Sequence, residues 1–207
     1  MNNNAAPTPG FWRQFQPFWQ VSLQASREYK IAALVTFILM FALYYSVMQA
    51  MFFDNSFKAQ LAVLLRGMLD TTTFILCCHF LLRPYLKLTF IPQGRFGWEL
   101  LQLVAWLYVL GLLSMLVSYG YGKIPMLKLT DFSNMVFTSA EGEHKMRLDT
   151  NTTLLLGAFN QAVVYATWAM AYVMWQSIKI KKQMQIQMQQ TQLQQLTNQL
   201  SPHFLFN

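Results

Sequence analysis

Read as apolar against polar positions, the 207 residues contain four long, nearly unbroken apolar runs: Ile31 to Phe53, Ala59 to Leu82, Trp98 to Tyr121 and Leu154 to Ser177. Crossing about 30 Å of hydrocarbon takes roughly 20 helical residues, and each run reaches that length. The charges inside them are Arg66, Asp70 and Glu99. Glu99 stands at a helix start, where it meets water and the positive end of the helix dipole. The pattern predicts an all-α integral membrane protein: a four-helix transmembrane bundle spanning 31–177, with a cytoplasmic coiled-coil extension of the fourth helix.

The flanking segments carry their own patterns. No cleavable signal peptide is visible, because the first apolar run begins only at Ile31 and is too long for an h-region. Within residues 1–30, Phe11, Trp12, Phe15, Phe18 and Trp19 fall on one helical face while Arg13, Gln14 and Gln16 fall on the other. This predicts an interfacial helix on the inner leaflet, with Pro17 bending it or limiting its length. The connection 122–153 is the sizeable outer segment; without a cysteine pair it makes a small cap and not an independent ligand-binding domain.

From Ile178 onward there is no Gly, and no Pro before Pro202, so the fourth span is expected to continue as one cytoplasmic helix rich in Gln and Met, both good helix formers. The alternation from Gln183 to Gln189 resembles a strand, but helix on both sides makes helix the better reading. Ile186, Leu193 and Leu200 recur every seven residues, with Gln189 and Leu196 at the intervening d positions. That is a short coiled-coil seam, which predicts a homodimer.

Composition agrees with burial in lipid. Hydrophobic residues make up 55% and charged residues only 11%, against about a quarter charged in soluble domains. The net charge of +7 is not spread evenly. Arg13, Arg27, Lys30, Arg83, Lys87, Arg95, Lys179, Lys181 and Lys182 fall on the side of the termini. On the opposite side Lys58, Lys123, Lys128, Lys145 and Arg147 are balanced by acidic residues. Positive-inside bias therefore places both termini in the cytoplasm, and the basic excess is a topology signal with no direct nucleic-acid role. Cys77 and Cys78 are adjacent and have no Cys/His cluster, which excludes a disulfide scaffold and a zinc site.

Inside the spans, Arg66 and Asp70 are four residues apart and meet on one helix face. Placing either charge at mid-membrane costs roughly 2.5–3.5 kcal/mol, which their pairing must offset. Such a pair is either a sensor site or a structural pin. His79 lies about 180° around the helix from Asp70 and is expected to be packed or snorkelling. Ala158, Ala162 and Ala166 form a small-residue stripe that admits another helix, of the same or a second chain. Asn160 and Gln161 are expected to supply interhelical hydrogen bonds nearby. Trp98, Tyr119, Tyr121 and Trp175 are candidate interface anchors. A stimulus would be met inside the bundle or on the outer connection.

The residues that carry chemistry stand at the end. In Ser201-Pro202-His203-Phe204-Leu205-Phe206-Asn207 the proline removes the amide that would bond the carbonyl of residue 198, so the helix is expected to kink or restart there, presenting His203 beside an apolar patch. The box, after a glutamine-rich leucine helix, resembles the phosphoacceptor box of the LytS/YehU-type sensor histidine kinases, whose usual pattern is Asn-Pro-His-Phe-Leu-Phe-Asn. It departs only at Ser201, and the resemblance covers about the last twenty residues.

That resemblance implies that His203 is autophosphorylated by ATP with Mg²⁺ held in a separate catalytic domain, and that the phosphoryl group passes to an aspartate of a response regulator, typically of LytTR type. Where many histidine kinases place an acidic residue directly after the histidine, this chain has Phe204, so the proton acceptor is open. The chain stops at Asn207 with no Gly-rich phosphate loop before it. On this reading it is part of a longer kinase of the bacterial inner membrane and is inactive alone. The rival readings are a small four-span channel or transporter and a dimerising membrane scaffold. The spans show no ladder of polar residues and no repeat between halves, as many transporters do.

Overall fold

The computed structural model describes residues 11–51, 56–91, 97–127, 129, 134–139, 142–147 and 149–204, with side chains described for 17–50, 56–91, 97–127, 129 and 149–198. Among the described residues five helices follow in order: α1 Phe11–Leu23, α2 Arg27–Met51, α3 Phe57–Phe90, α4 Trp98–Tyr121 and α5 Thr150–Phe204. Four of them, α2 to α5, are long and apolar enough to cross a membrane, and they coincide with the four apolar runs. Between α4 and α5 lie a 3₁₀ turn, Pro125–Leu127, and an antiparallel hairpin of β1 Asn134–Ser139 with β2 Gly142–Arg147. The register runs from Asn134↔Arg147 to Ser139↔Gly142. Among the described residues the hairpin is the one departure from an all-helical description. Glu143, His144, Lys145 and Arg147 crowd its second strand, so no apolar alternation marks it in the sequence.

Local chemistry sets the helix starts. The Ser26 hydroxyl accepts from the Tyr29 amide at 3.3 Å at the head of α2, where Glu28 stands in the first turn. The Ser56 hydroxyl accepts from the Ala59 amide at 3.3 Å at the head of α3. Helix α1 runs through Pro17.

Helix α3 continues past Leu82 to Phe90 by changing pitch: Cys78–Leu82 and Leu86–Phe90 are π-helical, either side of Arg83–Tyr85. The cause is Pro84. It has no amide to give the Phe80 carbonyl, and its ring would collide with that carbonyl in a tight α-turn, so the backbone widens and the Arg83 amide reaches the Cys78 carbonyl five residues back.

The chain forms two compact units, Met1–Ala166 and Thr167–Asn207. In the first, α4 and the start of α5 pack almost backbone to backbone. A Cβ added at Gly111 would run into the Ala158 carbonyl oxygen and lie 3.2 Å from the Ala162 amide. Ala158 and Ala162 of the alanine stripe therefore take their partner from the same chain. Beside the crossing, the fully buried Tyr165 shares a 2.6 Å hydrogen bond with Ser114 and stacks on Phe74 with ring centroids 4.9 Å apart. Gly111→Val is expected to force the helices apart and lower stability by about 1–3 kcal/mol, as overpacking does, because rigid backbone and not a movable side chain receives the methyl groups. Reversible unfolding in mixed detergent micelles measures this, and an unchanged midpoint would refute the tight crossing.

The second unit is the rest of α5. Trp168 and Tyr172 stack at 5.3 Å, Trp175 meets Tyr172 edge-on, and the Lys179 ammonium lies 4.3 Å from the Trp175 ring centre. Further along, Ile186, Leu193 and Leu196 are exposed in the single chain. The helical backbone runs through Pro202 to Phe204 where a break was expected. The side chains of Leu200 to Phe204, His203 among them, and all of Leu205, Phe206 and Asn207 lie outside the described residues.

Candidate functional site

Helical spacing on α3 brings Arg66 and Asp70 together as expected: Arg66 Nε donates to Asp70 Oδ2 at 3.1 Å, with the two side chains only 11% and 17% exposed. The rest of the site comes from other elements. Arg66 Nη2 donates to the Ser118 carbonyl and, at 2.7 Å, to the Ser118 hydroxyl on α4. Arg66 Nη1 reaches the Leu127 carbonyl at 3.5 Å. The Tyr121 ring lies 5.8 Å from the guanidinium carbon, and its hydroxyl pairs with Thr73 at 3.0 Å. Tyr121 is thus turned inward, while Trp98 and Tyr119 are exposed as interface anchors would be.

The Tyr44 and Ser118 hydroxyls also lie near the Asp70 carboxylate. Tyr44 can reach because its ring lies over Gly67, where a Cβ would come within 2.6 Å of Cδ1. The missing side chain at Gly67 lets α2 close on α3 and brings the Tyr44 ring over it, near Asp70. Arg66 and Asp70 therefore form the hub of a network over α2, α3 and α4, in which every hydrogen bond to a charge is worth more than a neutral one.

Against Asp70 opens a cavity of about 320 Å³ between α2, α3 and the start of α5. Its lining is partly polar, from Tyr44, Asp70, Thr71, Asn160 and Gln161, and partly apolar, from Met40, Leu43, Val47, Met48, Phe74 and Val164. The stripe that puts Ala158 and Ala162 on Gly111 leaves Asn160 and Gln161 on another face of α5, at the cavity. Among the described residues no side-chain hydrogen bond reaches either amide. Left without a partner in hydrocarbon, an amide costs on the order of 2–7 kcal/mol. The arrangement thus combines a neutralised ion pair, two open amides and a flexible methionine-bearing lining.

A second cluster gathers round Arg83, a residue that the charge pattern marks only as a topology signal. Arg83 is 4% exposed. Its Nη1 and Nη2 donate to the Val21 and Gln24 carbonyls at 2.9 and 3.0 Å, and its guanidinium carbon lies 4.4 Å from the Tyr29 ring centre. It therefore caps the carbonyl end of α1, where a cation also complements the helix dipole. His79 belongs here and not with Asp70: its ring stacks on Tyr29 at 5.5 Å and its Nδ1 lies 3.4 Å from the Tyr29 hydroxyl. Cys77 and Cys78 are buried free thiols.

Comparison with known proteins adds nothing to this picture: no family model, no curated protein and no solved structure matches the chain. The site residues that the sequence pattern did not single out are Tyr44, Ser118, Leu127 and Arg83. An Arg-Pro pair near the end of an apolar run was the one local signal, since a proline there demands a change of helical pitch that brings its neighbour inward.

Proposed function

We propose that the chain is the membrane sensor and phosphoacceptor part of a LytS/YehU-type two-component histidine kinase, embedded in the bacterial cytoplasmic membrane by four helices with both termini inside. The observation that carries this reading is the box Ser201 to Asn207 at the end of α5, the helix that also bears Asn160 and Gln161 at the cavity. One continuous helix from a cavity to a histidine box is the element such a sensor needs. The apolar lengths of α2 to α5 support the membrane placement, and the exposed Ile186, Leu193 and Leu196 support a homodimer through this stretch.

In this reading His203 acts as nucleophile. An unprotonated ring nitrogen attacks the γ-phosphorus of ATP in line, a P–N bond forms as the bond to the β-bridging oxygen breaks, and ADP leaves. ATP and Mg²⁺ are held by the kinase's catalytic module. The phosphoryl group then passes to a carboxylate oxygen of a response regulator's aspartate, and the freed imidazole is ready again. Membrane lipid contacts α1, whose Arg83 cap would tie it to the inner end of α3.

The test is phosphate transfer. The chain in lipid nanodiscs, given Mg·ATP labelled at the γ-position and the soluble catalytic module of a LytS/YehU-type kinase, is expected to acquire acid-labile, alkali-stable label. His203→Ala is expected to lose all of it. A wild-type chain that stays unlabelled, or a His203→Ala chain that labels equally, overturns the assignment.

A further inference from the structure

We propose that the cavity between α2, α3 and the start of α5 is a binding site for a small uncharged amphipathic molecule, one whose head carries both a hydrogen-bond donor and an acceptor, such as a carboxamide on a short hydrocarbon chain. The inference rests on the reading that the apolar helices lie in a bilayer.

The head is defined by what the polar lining lacks. The Asn160 and Gln161 amides each offer donors and an acceptor, and among the described residues neither is engaged by another side chain. A carboxamide pairs with such an amide reciprocally, donor to acceptor and acceptor to donor. Neutrality follows from the ion pair: Arg66 and Asp70 already cancel at 3.1 Å, so a charged guest would leave net charge in a low-dielectric pocket. The tail is defined by the apolar lining from α2, where Met40, Leu43, Val47 and Met48 present aliphatic and thioether side chains, the two flexible methionines able to repack around a chain. The volume, about 320 Å³, equals the liquid share of about ten waters, which sets the scale at a dozen or so heavy atoms.

A link to the proposed signalling follows from position. A guest bridging Asn160 and Gln161 to α2 would favour one placement of α5 over another, and a ligand shifts an equilibrium only through such differential contact.

The probe is decanamide carrying an alkyl diazirine, applied to the full chain in phosphatidylcholine nanodiscs after resistance to carbonate extraction has been measured. Photolabel is expected on the peptide holding Met40 to Met48, saturable and displaced by excess decanamide but not by decane. Asn160→Leu/Gln161→Leu is expected to reduce labelling at least tenfold, and Val47→Trp, which fills the cavity and leaves both amides in place, to abolish it. Thermal unfolding checks that the variants are folded; if the double variant is not, Val47→Trp decides.

Label displaced equally by decane, label undiminished in a folded double variant or in Val47→Trp, or no saturable label at all overturns the proposal. A chain that fails carbonate extraction overturns the membrane reading instead, and a chain that binds decanamide while His203 stays unphosphorylated overturns only the kinase assignment.

Discussion

Arg66→Leu is expected to destabilise the protein by about 3–5 kcal/mol, the cost of breaking a buried pair by removing one partner. The substitution strands Asp70 as an uncompensated carboxylate that is 17% exposed, and it removes the guanidinium's hydrogen bonds to the Ser118 and Leu127 carbonyls. The neutral double variant Arg66→Leu/Asp70→Leu should recover most of the loss, because replacing both charges removes the desolvation term along with the attraction. Asp70→Asn should fall between them, since its amide oxygen can still accept from Arg66 Nε while the Arg66 charge loses its counterion. Reversible unfolding in mixed micelles reads all three. If Arg66→Leu unfolds at the wild-type midpoint, or the double variant is no better than the single, the pair does not pin the helices. On the proposed kinase reading, Asp70→Asn is further expected to shift the response to stimulus, because Asp70 also lines the cavity.

The next largest effect is expected at Arg83. Arg83→Met keeps much of the aliphatic stem but removes two donors to the Val21 and Gln24 carbonyls and the stacking on Tyr29. Hydrogen bonds from charged donors contribute about 1.5–3 kcal/mol each, part of which water recovers once α1 lifts away. A net loss of about 3 kcal/mol would raise the open population roughly a hundredfold. The readout is hydrogen exchange of the Val21 to Ala25 amides and tryptic cleavage after Arg27, both of which should rise by at least tenfold while the rest of the chain stays protected. Arg83→Lys should be intermediate: it keeps the charge but has no planar fork to span two carbonyls. Unchanged exchange in Arg83→Met would mean that α1 is held by its apolar face alone.

The two clusters differ in how far the chain's pattern reveals them. Arg66 and Asp70 are visible because two charges four apart stand alone in an apolar run, and the helix period alone puts them together. Ser118 and Tyr44 are ordinary residues in apolar runs, and they become site residues only because Gly67 and the Ser118 carbonyl lie where α2 and α4 pass α3. Arg83 was legible as a cation near a span end, but its burial depends on the π-turns around Pro84 and on α1 arriving to be capped. The hairpin escaped because its first strand is too short an apolar run to show alternation and its second is charged, so their pairing leaves no trace in hydropathy.

What the sequence determined by itself is everything that depends on spacing along one chain: four helices of bilayer-spanning length, the Arg66–Asp70 pair, the alanine stripe and a histidine box at the end of a long helix. What the tertiary structure decided is which faces meet. A helix that is apolar nearly all round has no polar side to declare its outside, so nothing local says that Gly111 seats Ala158, that Ser118 closes on Arg66, or that Asn160 and Gln161 line the same cavity as Asp70. Those choices belong to the close approach of backbones, a property of pairs of helices that no single helix encodes.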